Sequence, residues 1–287
     1  MLTIGIPLYK PSTRQLDWAR EVVACVRALH PSIQFVISIH SSADAPNITG
    51  NDALTVLCTD EQYSYDQNVH RISQTVRTRY WMLLAGSDRL RMEMLPALLQ
   101  ALEQSAPSTA LVFTGAVQPV DCSQLLPQRL GFLSSFVFNT NYFKHAYPVH
   151  CDFRGWIHTA VFLMALQARE LLVPLDFELV EEDIEPGFVK PWTARGGFLI
   201  YQISLARLIN RLIPRHPARS ACESHALGRW PFDVIKGLLQ GVKLSSRERR
   251  YITLWQRRQG GCTIVFFRLF AQILARLMPR KAFSLHD

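Results

Sequence analysis

"YWMLLAGSDRL", residues 80 to 90, runs six largely apolar residues into Gly-Ser-Asp. A short apolar run closed by small polar residues has the pattern of a buried strand. The same pattern recurs upstream. "LTIGIP" (2–7) is an apolar run closed by proline, and "QFVISIHSS" (34–42) is a second buried run. Between them, Ser12 to His30 has helical spacing at Leu16, Ala19, Val22, Val23, Val26 and Leu29, which makes a βαβ opening.

"ALTVLC" (53–58) adds a third strand, residues 66–78 a helix, "YWMLLA" a fourth strand, residues 92–105 a helix and "TALVFTG" (109–115) a fifth strand. Strands alternating with helices predict an α/β fold, a mainly parallel sheet covered on both faces. Ligands of such sheets sit beyond the carboxyl ends of the strands. That rim gathers Pro7 to Lys10, His40 to Asp44 and Gly86 to Asp88.

After residue 120 the alternation weakens. "GFLSSFVFNTNYF" (131–143) reads as strand-rich, residues 155–169 as a helix, and "ELLVPLDFELVEE" (170–182) as a strand pair. "PRHPARS" (214–220) has the composition of a linker.

Charge is unevenly placed along the 287 residues. Up to residue 200 there are 15 Lys and Arg against 19 Asp and Glu; beyond it, 16 against 4. The formal charge of +8 therefore belongs to the last third, a block suited to phosphates or anionic headgroups. Hydrophobic residues at 48% and charged ones at 19% exclude a disordered chain.

Six scattered cysteines without a Cys-x-x-Cys pair imply reduced thiols in a cytosolic protein. "MLTIGIPLYKP" lacks the basic start and long apolar run of a signal peptide, so a cytoplasmic location is expected.

In "CTIVFFRLFAQILARLM" (262–278), Arg268, Gln272 and Arg276 recur at a spacing of four. On a helix they form a narrow polar stripe against a broad apolar face, flanked by Arg257, Arg258, Arg280 and Lys281. Such a helix lies in a membrane surface or packs as a core helix; the flanking charges favour the membrane. No basic and aromatic interleaving points to nucleic acid, so none is expected as a partner.

With "TIGIPLYK", "VISIHSSAD", "YDQNVHRI" and "YWMLLAGSDRL" in this order, the first half resembles the family 2 glycosyltransferases of the GT-A fold, notably bacterial members that build O-antigen or capsular polysaccharide. The resemblance implies a GT-A domain over residues 1–200, with a donor-binding half (1–117) and an acceptor-binding half (118–200), followed by a basic helical region (201–287). It implies transfer with inversion from a nucleoside-diphosphate sugar to a hydroxyl of a lipid-linked glycan, at the inner face of the cell membrane. A rival reading keeps the fold and drops the chemistry, leaving an accessory protein that binds glycan or lipid carrier.

The family's Asp-x-Asp motif matches Gly86-Ser87-Asp88, which keeps only its final acid. By resemblance, Asp88 holds Mg²⁺ or Mn²⁺ against the donor phosphates, with Ser87 as a weaker helper. Read locally, Asp88 caps a helix starting near Met92 or makes a turn.

Pro7 and Tyr9 occupy the first-strand loop, where the family touches the donor base. His40, after Ile39, stands where relatives often carry an aspartate, with Ser41 beside it. Asn68 lines the donor pocket and Arg71 neutralises diphosphate, while Asp66 has the position of a helix cap. Asp152, in "HCDFRGW", is the implied base, with His158 as its alternative or a structural histidine.

Overall fold

The computed structural model describes residues 1–9, 11–40, 52–59, 61, 63–85, 88–114, 133–146, 155–182, 197–217, 219–227, 246 and 250. The chain forms two compact units, Met1–Glu185 with Arg215–Ala218, and Pro186–Pro214 with Arg219–Asp287.

The first unit is built on a seven-stranded sheet of order β3-β2-β1-β4-β7-β6-β8. The strands are β1 (Leu2–Tyr9), β2 (Gln34–His40), β3 (Leu54–Thr59), β4 (Tyr80–Leu83), β6 (Thr109–Phe113), β7 (Phe136–Asn139) and β8 (Leu171–Pro174). β7 runs antiparallel to both its neighbours, and all other pairings are parallel. A separate antiparallel ribbon joins β5 (Asp88–Leu90) to β9 (Val180–Glu182).

Helices follow β1, β3 and β5 as the periodicity predicts, whereas the two helices between β7 and β8 are consecutive among the described residues. The helices are α1 (Thr13–Leu29), α2 (Tyr65–Thr75), α3 (Leu95–Gln104), α4 (Thr140–Ala146) and α5 (Ile157–Ala168). α1 and α2 each open with a capping box. Ser12 Oγ accepts from Gln15 N while Gln15 Oε1 accepts from Ser12 N, and Ser64 and Gln67 repeat this at α2.

β1 buries both faces. Leu2, Ile4, Ile6 and Leu8 join α1 (Leu16, Ala19, Val22, Val23, Val26) and α3 (Leu95, Leu98, Leu102) in one cluster. On the opposite face Gly5 meets Ile72 of α2. Farther along the sheet the core is aromatic, with Trp81 edge-on to Phe143 at 4.7 Å and Phe138 edge-on to Phe143 at 5.0 Å.

Three local expectations are corrected. "TNYF" (140–143) is not strand: Asn139, the last residue of β7, accepts at Oδ1 from Tyr142 N at 3.1 Å and starts α4. β8 and β9 do not pair with each other but enter different sheets. Asp88 does not cap a helix at Met92. It begins β5, and the 3-10 turn at Met92–Met94 has no side-chain cap.

The second unit contains α6 (Gly197–Leu212) and α7 (Arg219–Leu227), which pack on each other. No helix among the described residues is long and apolar enough to cross a membrane. The segment 262–278 lies outside the described residues. Cys25, Cys58 and Cys222 are free thiols.

Gly5 tests the packing of α2 on β1. An alanine Cβ there would stand 2.7 Å from Cγ2 of the fully buried Ile72. Gly5→Ala should lower stability by about 1–3 kcal/mol, read as a fall in the urea midpoint with the slope unchanged. An unchanged midpoint would mean that α2 sits farther from the sheet.

Candidate functional site

The rim at the carboxyl ends of β1, β2 and β3 is a register row. Tyr9 pairs with His40, and His40 with Thr59. Two residues back, Pro7 pairs with Ser38. His40 is buried, and Pro7 is half-buried.

At β4 the chain leaves the sheet after Leu84, whose N–H still donates to Gly5 O at 2.9 Å. Asp88 N then donates to Ala85 O at 3.0 Å, which brings the aspartate back toward the strand it followed. Asp88 is only 3% exposed. Its Oδ2 accepts from Ser134 Oγ at 2.5 Å, and Ser134 Oγ accepts in turn from Ala85 N at 3.1 Å. Ser134, also buried, lies in the 3-10 turn Leu133–Ser135 that enters β7. β7 runs against β4, so the turn that begins it stands at the end where β4 finishes.

Asp66, Asn68 and Arg71 of α2 are each bonded outside their own helix. Asp66, buried, accepts from Gly155 N at 3.0 Å and from Ile157 N at 3.2 Å through its two oxygens. It therefore holds the N-terminus of α5 from outside that helix. Gly155, at φ 89°, has the left-handed backbone that lets the chain turn into this contact. Asn68 Oδ1 accepts from Ser38 Oγ at 2.5 Å, tying α2 to β2. Arg71 Nη2 donates to Cys58 O at 2.8 Å, near the end of β3, and its guanidinium lies 5.6 Å over the Tyr63 ring. Arg71 Nη1 is buried and has no hydrogen-bond partner among the described residues.

His158, in the first turn of α5, is buried among aromatic rings. Tyr65 lies edge-on at 6.3 Å, Trp156 at 5.9 Å and Phe136 at 6.0 Å. Neither ring nitrogen has a hydrogen-bond partner among the described residues. Burial in this apolar setting pushes its pKa down to about 3, so the imidazole is neutral.

Of the residues singled out from the sequence, the structure brings Pro7, Tyr9 and His40 to one rim and places Asp88 beyond the end of β4, which pairs with β1. Asn68 and Arg71 flank β2 and β3. Ser41, Ser87 and Asp152 lie outside the described residues. Two residues that position the site went unnoticed in the sequence: Ser134 and Ser38. Ser38 carries a weak signal, a lone hydroxyl inside the apolar run "FVISIH". No group of three or more His, Cys, Asp or Glu that could hold a metal ion is present among the described residues.

No family model and no curated protein sequence matches this chain. Solved structures do. One similar fold is the mannosyltransferase PcManGT from Pyrobaculum calidifontis in complex with GDP-Man and Mn²⁺, at a TM-score of 0.57 and 10% identity, covering 96% of this chain and 87% of that one. Another is S. aureus TarS 1-349, at 0.52 and 10%, covering 83% and 79%. The expected architecture is therefore present, a mixed and mostly parallel sheet flanked by helices, the GT-A glycosyltransferase fold.

The buried imidazole sets a pH dependence. As pH falls below 6.5, the unfolded chain takes up a proton at His158 that the folded chain refuses until about pH 3. Stability present above pH 6.5 is lost through that window at about 1.4 kcal/mol per pH unit. His158→Phe should abolish this component. Between pH 6.5 and pH 5, wild type should lose about 2 kcal/mol more than the variant in urea denaturation. Equal losses would place the ring in contact with water or an acceptor.

Proposed function

We propose that this chain is a glycosyltransferase that moves a sugar from a nucleoside-diphosphate donor to a hydroxyl of a lipid-linked bacterial surface glycan. The observation that carries the reading is the Asp88 carboxylate, buried beyond the carboxyl end of β4 and oriented by Ser134. The likeness to a mannosyltransferase holding GDP-Man and Mn²⁺ supports it at the level of the fold.

A carboxylate oxygen is the ligand type that Mg²⁺ and Mn²⁺ prefer, and a hydroxyl bonded to that carboxylate is the kind of outer partner that fixes its direction. Asp88 therefore fits a divalent cation shared with the donor's diphosphate, with Ser87 nearby in sequence. Such an ion, when bound, neutralises charge that develops on the leaving diphosphate. Tyr9 and His40, on one register row, border the donor base in this reading, with Pro7 and Ser41 beside them. Arg71 is assigned to the donor phosphates in this reading, while Asn68 keeps α2 fixed on β2.

The base that takes the acceptor proton is assigned to Asp152. His158 suits the role less, because a ring enclosed by Tyr65, Trp156 and Phe136 is remote from solvent and holds a proton weakly. Transfer by single displacement would invert the anomeric centre. The basic stretch and amphipathic pattern of 262–278 would hold the enzyme at the inner, anionic face of the membrane, where a lipid-linked acceptor resides.

Incubation with Mn²⁺ and a panel of nucleoside-diphosphate sugars, UDP-Glc and GDP-Man among them, should release nucleoside diphosphate. Asp88→Asn should cut the rate at least about a hundredfold while the melting midpoint holds. A wild type inert toward the whole panel would favour the accessory, non-catalytic reading. For the membrane, removal of residues 262–287 should abolish sedimentation with vesicles rich in anionic lipid, and moderate salt should weaken the intact chain's binding. Undiminished binding by the truncated chain would overturn the anchoring role.

A further inference from the structure

A cleft of about 430 Å³ opens in the first unit between α1 and the β5–β9 ribbon, apart from the Asp88 carboxylate. One wall is a single face of α1, where Trp18, Glu21 and Cys25 recur at helical spacing. The opposite wall is Arg89, Arg91, Glu93 and Glu181. Val22 and Leu90, both buried, contribute apolar surface between the walls.

The cleft is preformed. Trp18 is half-buried and packs against the core, which leaves its indole little freedom. Arg91 is held by ion pairs to Glu181 and, at 3.8 Å, to Glu178, and its backbone N–H donates to Leu179 O at 2.9 Å. Arg89 faces Glu181 directly across the ribbon.

Its chemistry is selective. Three carboxylates and two guanidiniums surround one aromatic plane, and the carboxylates do not converge as a metal site. The three acids oppose a polyanion such as a nucleoside diphosphate. A flat apolar plane ringed by planar bidentate hydrogen-bonding groups matches a pyranose, which has a C–H face and a belt of hydroxyls.

Position supplies the role. Arg89 and Leu90 follow Asp88 directly in β5, and strand residues are spaced roughly 3.4 Å apart. A glycan whose reacting end lies near Asp88 would reach the cleft with a sugar farther along its chain. We infer that the cleft between α1 and the β5–β9 ribbon is a saccharide subsite that takes an uncharged hexopyranose unit of the acceptor. The inference rests on the glycosyltransferase reading for its role, but not for the binding itself.

The test uses the full chain and NMR titration with the methyl glycosides of glucose, mannose and N-acetylglucosamine, and with GDP as a charged control. At least one glycoside should shift the Trp18 indole resonance, while GDP should not. Trp18→Ala should weaken that binding about tenfold. Because Trp18 also packs on the core, the double variant Glu21→Gln with Glu93→Gln, at two exposed positions, should weaken it to a similar degree with the fold intact. Asp88→Asn should leave glycoside binding unchanged. Absence of any Trp18 shift, or wild-type glycoside affinity retained in both cleft variants, overturns the inference. Sugar transfer with no cleft binding would overturn this inference alone, whereas cleft binding without any donor turnover would sustain the site and sink the transferase reading.

Discussion

A carboxylate withdrawn from water at the end of a strand must be met by donors or by a cation, because an isolated buried charge is unaffordable. Asp88 imposes that constraint. The hydroxyl that meets it comes from the turn before β7, and it can do so because β7 is antiparallel to β4. A parallel strand at that position would begin at the far end of the sheet, leaving no early residue beside Asp88. Ser134 also accepts the Ala85 amide, so one hydroxyl fixes both the exit of β4 and the direction of the acid. The reversed strand and the candidate site are therefore one feature of the topology.

α2 extends the same logic to the neighbouring strands. Asp66, Asn68 and Arg71 point to three different partners: the amides that open α5, the hydroxyl of Ser38 in β2, and the Cys58 carbonyl of β3. Buried polar groups are satisfied in folded chains, and here each satisfaction links two elements bordering the rim. Capping by Asp66 is notable because Ser64 already caps its own helix. The carboxylate is released to hold a helix that begins 91 residues later, at Ile157.

Legibility in the sequence followed the range of the deciding interaction. β1, β2 and β4 were readable because strands buried on both faces are largely apolar. The starts of α1 and α2 were written locally as Ser12-x-x-Gln15 and Ser64-x-x-Gln67. "FVFNTNYF" misled because its aromatics suit a strand while one side chain, Asn139, stops the strand and starts a helix. β5 was invisible for another reason: three residues form a strand only by pairing with β9, some ninety residues away. The contact between Ser134 and Asp88 spans 46 positions, and no local pattern announces it.

Similar folds at 10% identity show how little of this architecture depends on particular side chains. The fold persists while side chains at the rim are free to change, so specificity has to be sought in the rim's departures. The sharpest departure is at the end of β2, where the resemblance leads one to look for an aspartate and the chain supplies His40. A carboxylate only accepts hydrogen bonds, whereas an imidazole can also donate one. His40 is moreover largely buried, in register with Tyr9, so it shapes the floor of the rim as much as it could contact a ligand. In the proposed enzyme, recognition of the donor base would thus fall more on Tyr9 and the residues that follow β2, while the acid needed for the phosphates is retained at Asp88. Loss of one motif residue and retention of the other would then divide the donor site into a variable half that selects the base and a fixed half that handles charge.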